Sequence, residues 1–165
     1  MKEKILHYTK EIVLFIIVMT IFANIISIYK SSDLPKTPLH LDTVMLIDGK
    51  NYTLPKEKPL LVHIWATWCP TCKLEADNIQ RISEHYEVLT IAVKSGTDEV
   101  VSRYLQERGF DFHVINDKDA EISKAFNIAA FPTTFIYDKE KNMLFSDVGY
   151  TSTLGLYLKM WWADL

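Results

Sequence analysis

Cys69 and Cys72 are the only cysteines of this 165-residue chain, and two residues separate them. A pair so close encloses too short a loop to staple a fold. A structural zinc site usually takes four ligands, and the chain offers these two thiols and five scattered histidines. The pair therefore reads as reactive, and the chemistry open to a Cys-x-x-Cys is dithiol–disulfide exchange, in which the thiolate attacks. Two thiolates are also soft donors that suit Cu(I). A metal-binding thiol module is thus an alternative, although no Met or His lies beside the pair.

The flanking elements decide what such a pair does. Leu60–Trp65 is a continuous apolar run, as expected of a strand buried on both faces. From Pro70 to about Tyr86 the pattern is helical, with Leu74, Ile79 and Ile82 expected on one side. A strand entering and a helix leaving would put Cys69 at a helix N-terminus, where free N–H groups and the helix dipole stabilise a thiolate. Cys72 would lie in the first turn, close enough to resolve a mixed disulfide at Cys69. Pro70 has no N–H to donate, which costs nothing at the first helical position.

Around this unit the chain alternates strand and helix signals. Val44–Ile47 and Tyr52–Leu54 flank Asp48-Gly49 and predict a small hairpin. Val88–Val93 reads as a second buried strand. Thr97 predicts a cap for a helix running to Arg108, ended by Gly109. A short strand at Phe112–Ile115 and a short helix at Asp119–Phe126 follow. Thr133–Tyr137 and Met143–Val148 predict a second hairpin, and a last helix runs from near Thr151 to Trp162. The order β-α-β-α-β-α-β-β-α predicts a layered α/β domain over residues 43–165. There is no internal repeat and no low-complexity tract.

The N-terminus differs in kind. Residues 12–29 form an uncharged apolar stretch of 18 residues, long enough as a helix to cross a bilayer core. Lys2, Lys4 and Lys10 precede it, which favours a cytoplasmic N-terminus over residues 1–11. The exit, Ile-Ile-Ser-Ile-Tyr-Lys-Ser-Ser, lacks the Ala-x-Ala-like site of a cleaved signal peptide, so an uncleaved transmembrane signal-anchor is the favoured reading. Residues 30–42, with Ser31, Ser32, Pro35 and Pro38, read as a linker. The domain would then face the periplasmic or equivalent extracytoplasmic side of a bacterial inner membrane. The whole chain carries a net charge of −3, and the first thirty residues contribute four lysines against two glutamates, leaving −5 for the rest. That balance argues against nucleic acid as a partner.

The stretch Trp65-Ala66-Thr67-Trp68-Cys69-Pro70-Thr71-Cys72, with Phe131-Pro132-Thr133-Thr134-Phe135-Ile136 downstream, resembles the active site of thioredoxin-like proteins. The resemblance covers about residues 43–160 and is to the membrane-anchored TlpA-like branch. That branch includes the thiol reductases of cytochrome c maturation and the copper-sensitivity-suppressor oxidoreductases. Gly149-Tyr150-Thr151 with Leu154-Gly155-Leu156 looks most like the copper-sensitivity type. The resemblance implies a thioredoxin fold, a central mixed sheet with flanking helices. It implies a protein disulfide oxidoreductase acting on exported proteins, with no cofactor beyond a redox-active Cys69–Cys72 disulfide. Reduction is the implied direction, with electrons from a membrane thiol donor; a disulfide-forming oxidant is the alternative.

For single residues, the resemblance implies that Cys69 is the nucleophile and Cys72 the resolving thiol. Pro132 matches a cis-proline facing the pair, and Phe131 matches the residue whose backbone meets the substrate chain. Trp68, Pro70, Thr71, Phe131 and Pro132 make up the expected substrate-binding surface. Glu75 matches a buried acid, which would raise the thiol pKa values and relay a proton to Cys72; a solvated helix-face Glu is the plainer reading. His63 falls where thioredoxin itself has a buried Asp, and reads either as an electrostatic tuner or as a satisfied core histidine. His40, His85 and His113 lack partners at ligand spacing and read as structural or surface groups. Tyr150 and Phe131 could form an apolar collar. Trp161 and Trp162 suit either a membrane interface or, more simply, packing of the last helix. A peroxidase on the same fold ranks low, because Thr67 stands two residues before Cys69 rather than three.

Overall fold

A computed structural model describes residues 8–15, 18–19 and 43–165. Residues 8–15 and 18–19 are helical and exposed. Most of the apolar stretch 12–29 and all of residues 30–42 lie outside the described residues. Among the described residues, no helix is long and apolar enough to cross a membrane.

From residue 43 the elements run β1 (Thr43–Met45), β2 (Asn51–Thr53), β3 (Leu60–Trp65), α1 (Pro70–Ser83), β4 (Glu87–Val93), α2 (Asp98–Arg108), β5 (His113–Asp117), α3 (Glu121–Ala125), β6 (Thr133–Tyr137), β7 (Met143–Val148) and α4 (Thr153–Ala163). Strands β5-β4-β3-β6-β7 form one mixed sheet, and β1 and β2 form a separate hairpin. β3 pairs parallel to β4 and antiparallel to β6, so it lies at the centre. All six of its residues are buried, as the unbroken apolar run requires.

Two cores sandwich this sheet. On one face Leu61 and Trp65 meet Ile79 and Ile82 of α1, Val101 and Leu105 of α2, and Leu156 and Met160 of α4. On the other, Leu60, Val62 and Ile64 meet Leu46 and Leu54 of the hairpin segment, and Ala120 beside α3. The hairpin turns at Gly49, whose φ of +78° is open to glycine without strain. Gly109 ends α2 in the left-handed region at φ +70°.

One face of α1 departs from the sequence reading. Leu74 is 71% exposed, while Cys72, Glu75, Ala76, Ile79 and Ile82 are buried. At about 100° per residue, Leu74 lies well away from the arc centred on Glu75 and Ile79, so the i, i+3, i+4 set belongs to those residues. α1 also stops at Ser83, and β5 extends to Asp117 instead of ending at Ile115.

Asp117 explains the later start of α3. The N-cap position is Ala120, which has no side-chain acceptor. Asp117, itself 5% exposed, reaches across instead: its carboxylate accepts the N–H of Ile122 at 3.1 Å and of Ser123 at 2.8 Å. Asp117→Ala orphans both donors and is expected to destabilise the domain by about 2 kcal/mol. The measurement is the urea midpoint at unchanged slope. An unmoved midpoint contradicts the capping role.

Candidate active site

The sheet's central strand delivers the cysteines. Chain leaving β3 at Trp65 turns through Ala66–Trp68, and Cys69 becomes the N-cap of α1 with extended φ/ψ (−83°, 117°). Its Sγ accepts the Cys72 N–H at 3.2 Å, the place a Ser or Asp oxygen takes at an ordinary N-cap. Pro70 occupies the first helical turn, where no partner is missed. Both cysteines are free thiols, 5% and 2% exposed. Burial pushes the Cys72 thiol well up, aided by the hydrogen bond with Cys69 and the charge of Glu75. The pair is therefore asymmetric: Cys69 faces helix-end N–H dipoles, and Cys72 is held protonated behind it.

Phe131 and Pro132 close the site from the other side. The peptide bond between them is cis, and the Cys69 thiol points at the Phe131 carbonyl at 3.7 Å. Pro132 is buried, Thr71 half-buried and Pro70 exposed. Trp68 is 55% exposed, yet it is fixed in place. Its Nε1–H donates to the Lys94 carbonyl at 3.2 Å, and its ring meets Phe131 edge-on, with centroids 5.6 Å apart. The five residues expected to meet substrate thus surround Cys69, with Trp68 and Phe131 as one aromatic wall.

Glu75 is 0% exposed. Its Oε1 accepts the Thr151 N–H at 3.2 Å, and Oε2 has no partner. Burial drives its pKa up to about 8, against the lowering effect of the Thr151 N–H. Asp147 pushes it further up and Lys159 pulls it down; those two form their own ion pair at 2.6 Å. The buried placement is that of the matched acid, not of a solvated face. Asn78 holds the opposing loop: its amide donates to Tyr150 Oη at 3.2 Å and to the Thr151 carbonyl at 3.0 Å, and accepts from Thr153 at 2.7 Å.

His63 sits in the sheet with Nδ1 2.9 Å from the Thr134 hydroxyl. Burial lowers its pKa to about 3, so the ring stays neutral, and its geometry is that of a satisfied core histidine. His85 and His113 pack against Tyr157 and Tyr52, and His40 lies outside the described residues. Among the described residues, no three of His, Cys, Asp and Glu cluster as metal ligands. Tyr150 lies over α1 through Asn78, while the collar partner of Phe131 is Trp68.

Several positioning groups carry little signal in the sequence. Lys94 adopts φ +46° and turns its carbonyl to Trp68, and Ser95 Oγ accepts the Thr67 N–H at 3.0 Å. Both follow β4, where Lys94-Ser95-Gly96 is a turn signal. Asn78 carries no such signal, and Thr151 stands out only within the Gly149-Tyr150-Thr151 resemblance.

A family model described as Redoxin matches residues 35–154. The chain is 29% identical over 136 residues to a thioredoxin-like protein of Haemophilus influenzae, across 79% of this chain and 81% of that one. It is 31% identical over 126 residues to the thiol-disulfide oxidoreductase ResA of Bacillus subtilis, across 73% and 68%. A thiol:disulfide interchange protein of the thioredoxin family from Chlorobium tepidum superposes with a TM-score of 0.69 at 25% identity, covering 81% of this chain and 99% of that one. StoA from Bacillus subtilis shares the fold with a TM-score of 0.64 at 22% identity, covering 77% and 98%.

Proposed function

The chain belongs to the redoxin family, and from that premise we propose that it is a thiol–disulfide oxidoreductase that reduces disulfides of exported proteins through Cys69 and Cys72. The observation that carries this is the asymmetry of the pair: Cys69 Sγ caps α1 and accepts the Cys72 N–H, while the Cys72 thiol is buried and its pKa raised. Cys69 as thiolate attacks one sulfur of a substrate disulfide. That S–S bond breaks, a Cys69–substrate disulfide forms, and the departing substrate thiolate takes a proton. Cys72 then loses its proton to the Glu75 carboxylate and attacks Cys69 Sγ. The 69–72 disulfide forms, and the second substrate sulfur leaves as a thiolate that takes the proton from Glu75, which returns to the carboxylate. Two electrons and two protons have passed to the substrate.

The redox-active disulfide is then the only redox group used, and a membrane thiol donor must reduce it again. Residues 12–29 would anchor the chain in the inner membrane, with residues 30–42 as the tether and the domain outside the cytoplasm. Trp68, Pro70, Thr71, Phe131 and Pro132 would receive the substrate chain beside its cysteine, with the Phe131 backbone next to Cys69.

Direction is tested by equilibrating the chain in glutathione and dithiothreitol buffers and counting free thiols. A midpoint near that of thioredoxin, about −270 mV, is the expected result for a reductant. A midpoint near about −120 mV, as for DsbA, overturns the reductant reading in favour of an oxidant.

A further inference from the structure

α4 is apolar on two opposite sides. Leu156, Met160 and Ala163 face the core and are buried. Leu154, Leu158, Trp161 and Trp162 fall on the other side at i, i+4, i+7 and i+8 and are 70%, 57%, 54% and 60% exposed. Leu165, just past the helix end, continues the stripe. Simple packing of the last helix, the plainer sequence reading of the two tryptophans, is therefore not what the fold shows. Five large apolar side chains in one stripe exceed the scattered exposure that soluble surfaces carry.

We infer that this outer face of α4 seats on the lipid bilayer, at the boundary between headgroups and acyl chains. Three observations single out that occupant. The first is composition: Leu and paired Trp are the residues that favour the interface. The second is charge. Residues 31–165 are net −5 and are repelled by an anionic leaflet as a whole, but α4 holds no carboxylate. Its one charge, Lys159, is tied to Asp147, and Asp164 just past its end is paired with Lys139 at 3.5 Å, so this face meets a leaflet with little repulsion. The third is reach. Residues 30–42 extend at most about 45 Å, comparable with the diameter of a domain this size, so a tethered domain stays within contact of the bilayer and even weak partition suffices. This last point rests on the anchored reading proposed above.

Seating α4 also orients the chemistry. α4 packs along α1, with Tyr157 Oη donating to the Arg81 carbonyl, and the chain leading into α4 is tied to α1 where Asn78 donates to Tyr150 Oη and the Thr151 carbonyl. The dithiol is then carried at a fixed height above the membrane, where a membrane thiol donor works.

The test uses the full chain in phosphatidylcholine–phosphatidylglycerol vesicles with brominated acyl chains, which quench only tryptophans that enter the bilayer. The fluorescence of Trp161 and Trp162 is expected to be quenched. The W161F/W162F variant identifies them by losing the quenched component and leaving Trp65 and Trp68 bright. Leu158→Glu keeps all four tryptophans and is expected to weaken partition at least about tenfold, the worth of burying one leucine, and so to reduce quenching. Exchange with a soluble peptide disulfide stays unchanged in both variants and reports that the fold is intact. Absence of quenching in the parent chain, or equal quenching in Leu158→Glu, overturns the inference. If cross-linking instead gives a dimer that Leu158→Glu dissociates, without quenching, the face belongs to a second copy and the inference also fails. Carbonate extraction of the same vesicles reads the anchor separately. A chain released by carbonate disproves the anchor, and its quenching on added vesicles still decides the α4 face.

Discussion

Mixed with a disulfide-bonded protein, the Cys72→Ser chain stops after its first exchange and accumulates as a covalent Cys69–substrate complex, stable until a thiol reductant is added. The reverse variant, Cys69→Ser, forms no complex. The reason is the different setting of two chemically identical groups. Cys69 is the N-cap, with its sulfur accepting the Cys72 N–H at the helix end. Cys72 is 2% exposed, and burial holds its proton on, so it cannot begin an exchange but can finish one. Non-reducing gels and intact mass read both outcomes, with multiple turnover lost in each variant. Equal trapping by both single-cysteine chains would falsify the assignment of nucleophile and resolver.

Glu75→Gln is expected to have two effects with opposite signs. The first is on rate. A positioned acid–base group contributes about 10²–10⁴-fold, so release of the mixed disulfide slows by about 10² or more. In the parent chain that step accelerates as pH rises through about 8, where the carboxylate becomes available; the variant loses this inflection. The second effect is on stability. The folded pKa of about 8 lies above the ordinary value of 4.5, so folding is favoured most when Glu75 is protonated. Its contribution is complete below pH 4.5, declines between 4.5 and 8, and is gone above. The amide cannot ionise, so by pH 8.5 the Gln chain should be the more stable by on the order of 3 kcal/mol. At pH 4 the two should differ by less than about 1 kcal/mol. Urea unfolding under reducing conditions checks this. A Gln chain less stable than its parent at pH 8.5 means that the carboxylate is solvated or paired, and removes Glu75 from the proton path.

Much of the site is local and so was legible in the sequence. A strand that must be buried on both faces reads as the unbroken Leu60–Trp65 run, and a helix must begin where Cys69-Pro70 puts an N-cap before a proline. These two constraints alone place the cysteines at the end of a central strand and the start of a helix. Asp48-Gly49 and Gly109 are legible because their backbone geometry favours glycine. What the sequence concealed is long-range. Glu75 meets the Thr151 N–H and Trp68 meets the Lys94 carbonyl, backbone partners that carry no side-chain signature. α4 misleads for a different reason: with apolar residues on both sides, periodicity cannot tell the buried stripe of Leu156 and Met160 from the exposed one of Leu158 and Trp161. Leu74 misleads in α1 because an apolar residue counts toward a core face, while the buried positions beside it are a carboxylate and a thiol.

The most direct measurement is a single turnover of the fully reduced chain against a protein of known disulfide content. The reaction is quenched by alkylation and each chain is weighed. The expected result is one Cys69–Cys72 disulfide formed for every substrate disulfide lost, with two substrate thiols gained. Cysteines that remain fully alkylated while the substrate keeps its disulfides would contradict dithiol exchange as the chemistry of this site.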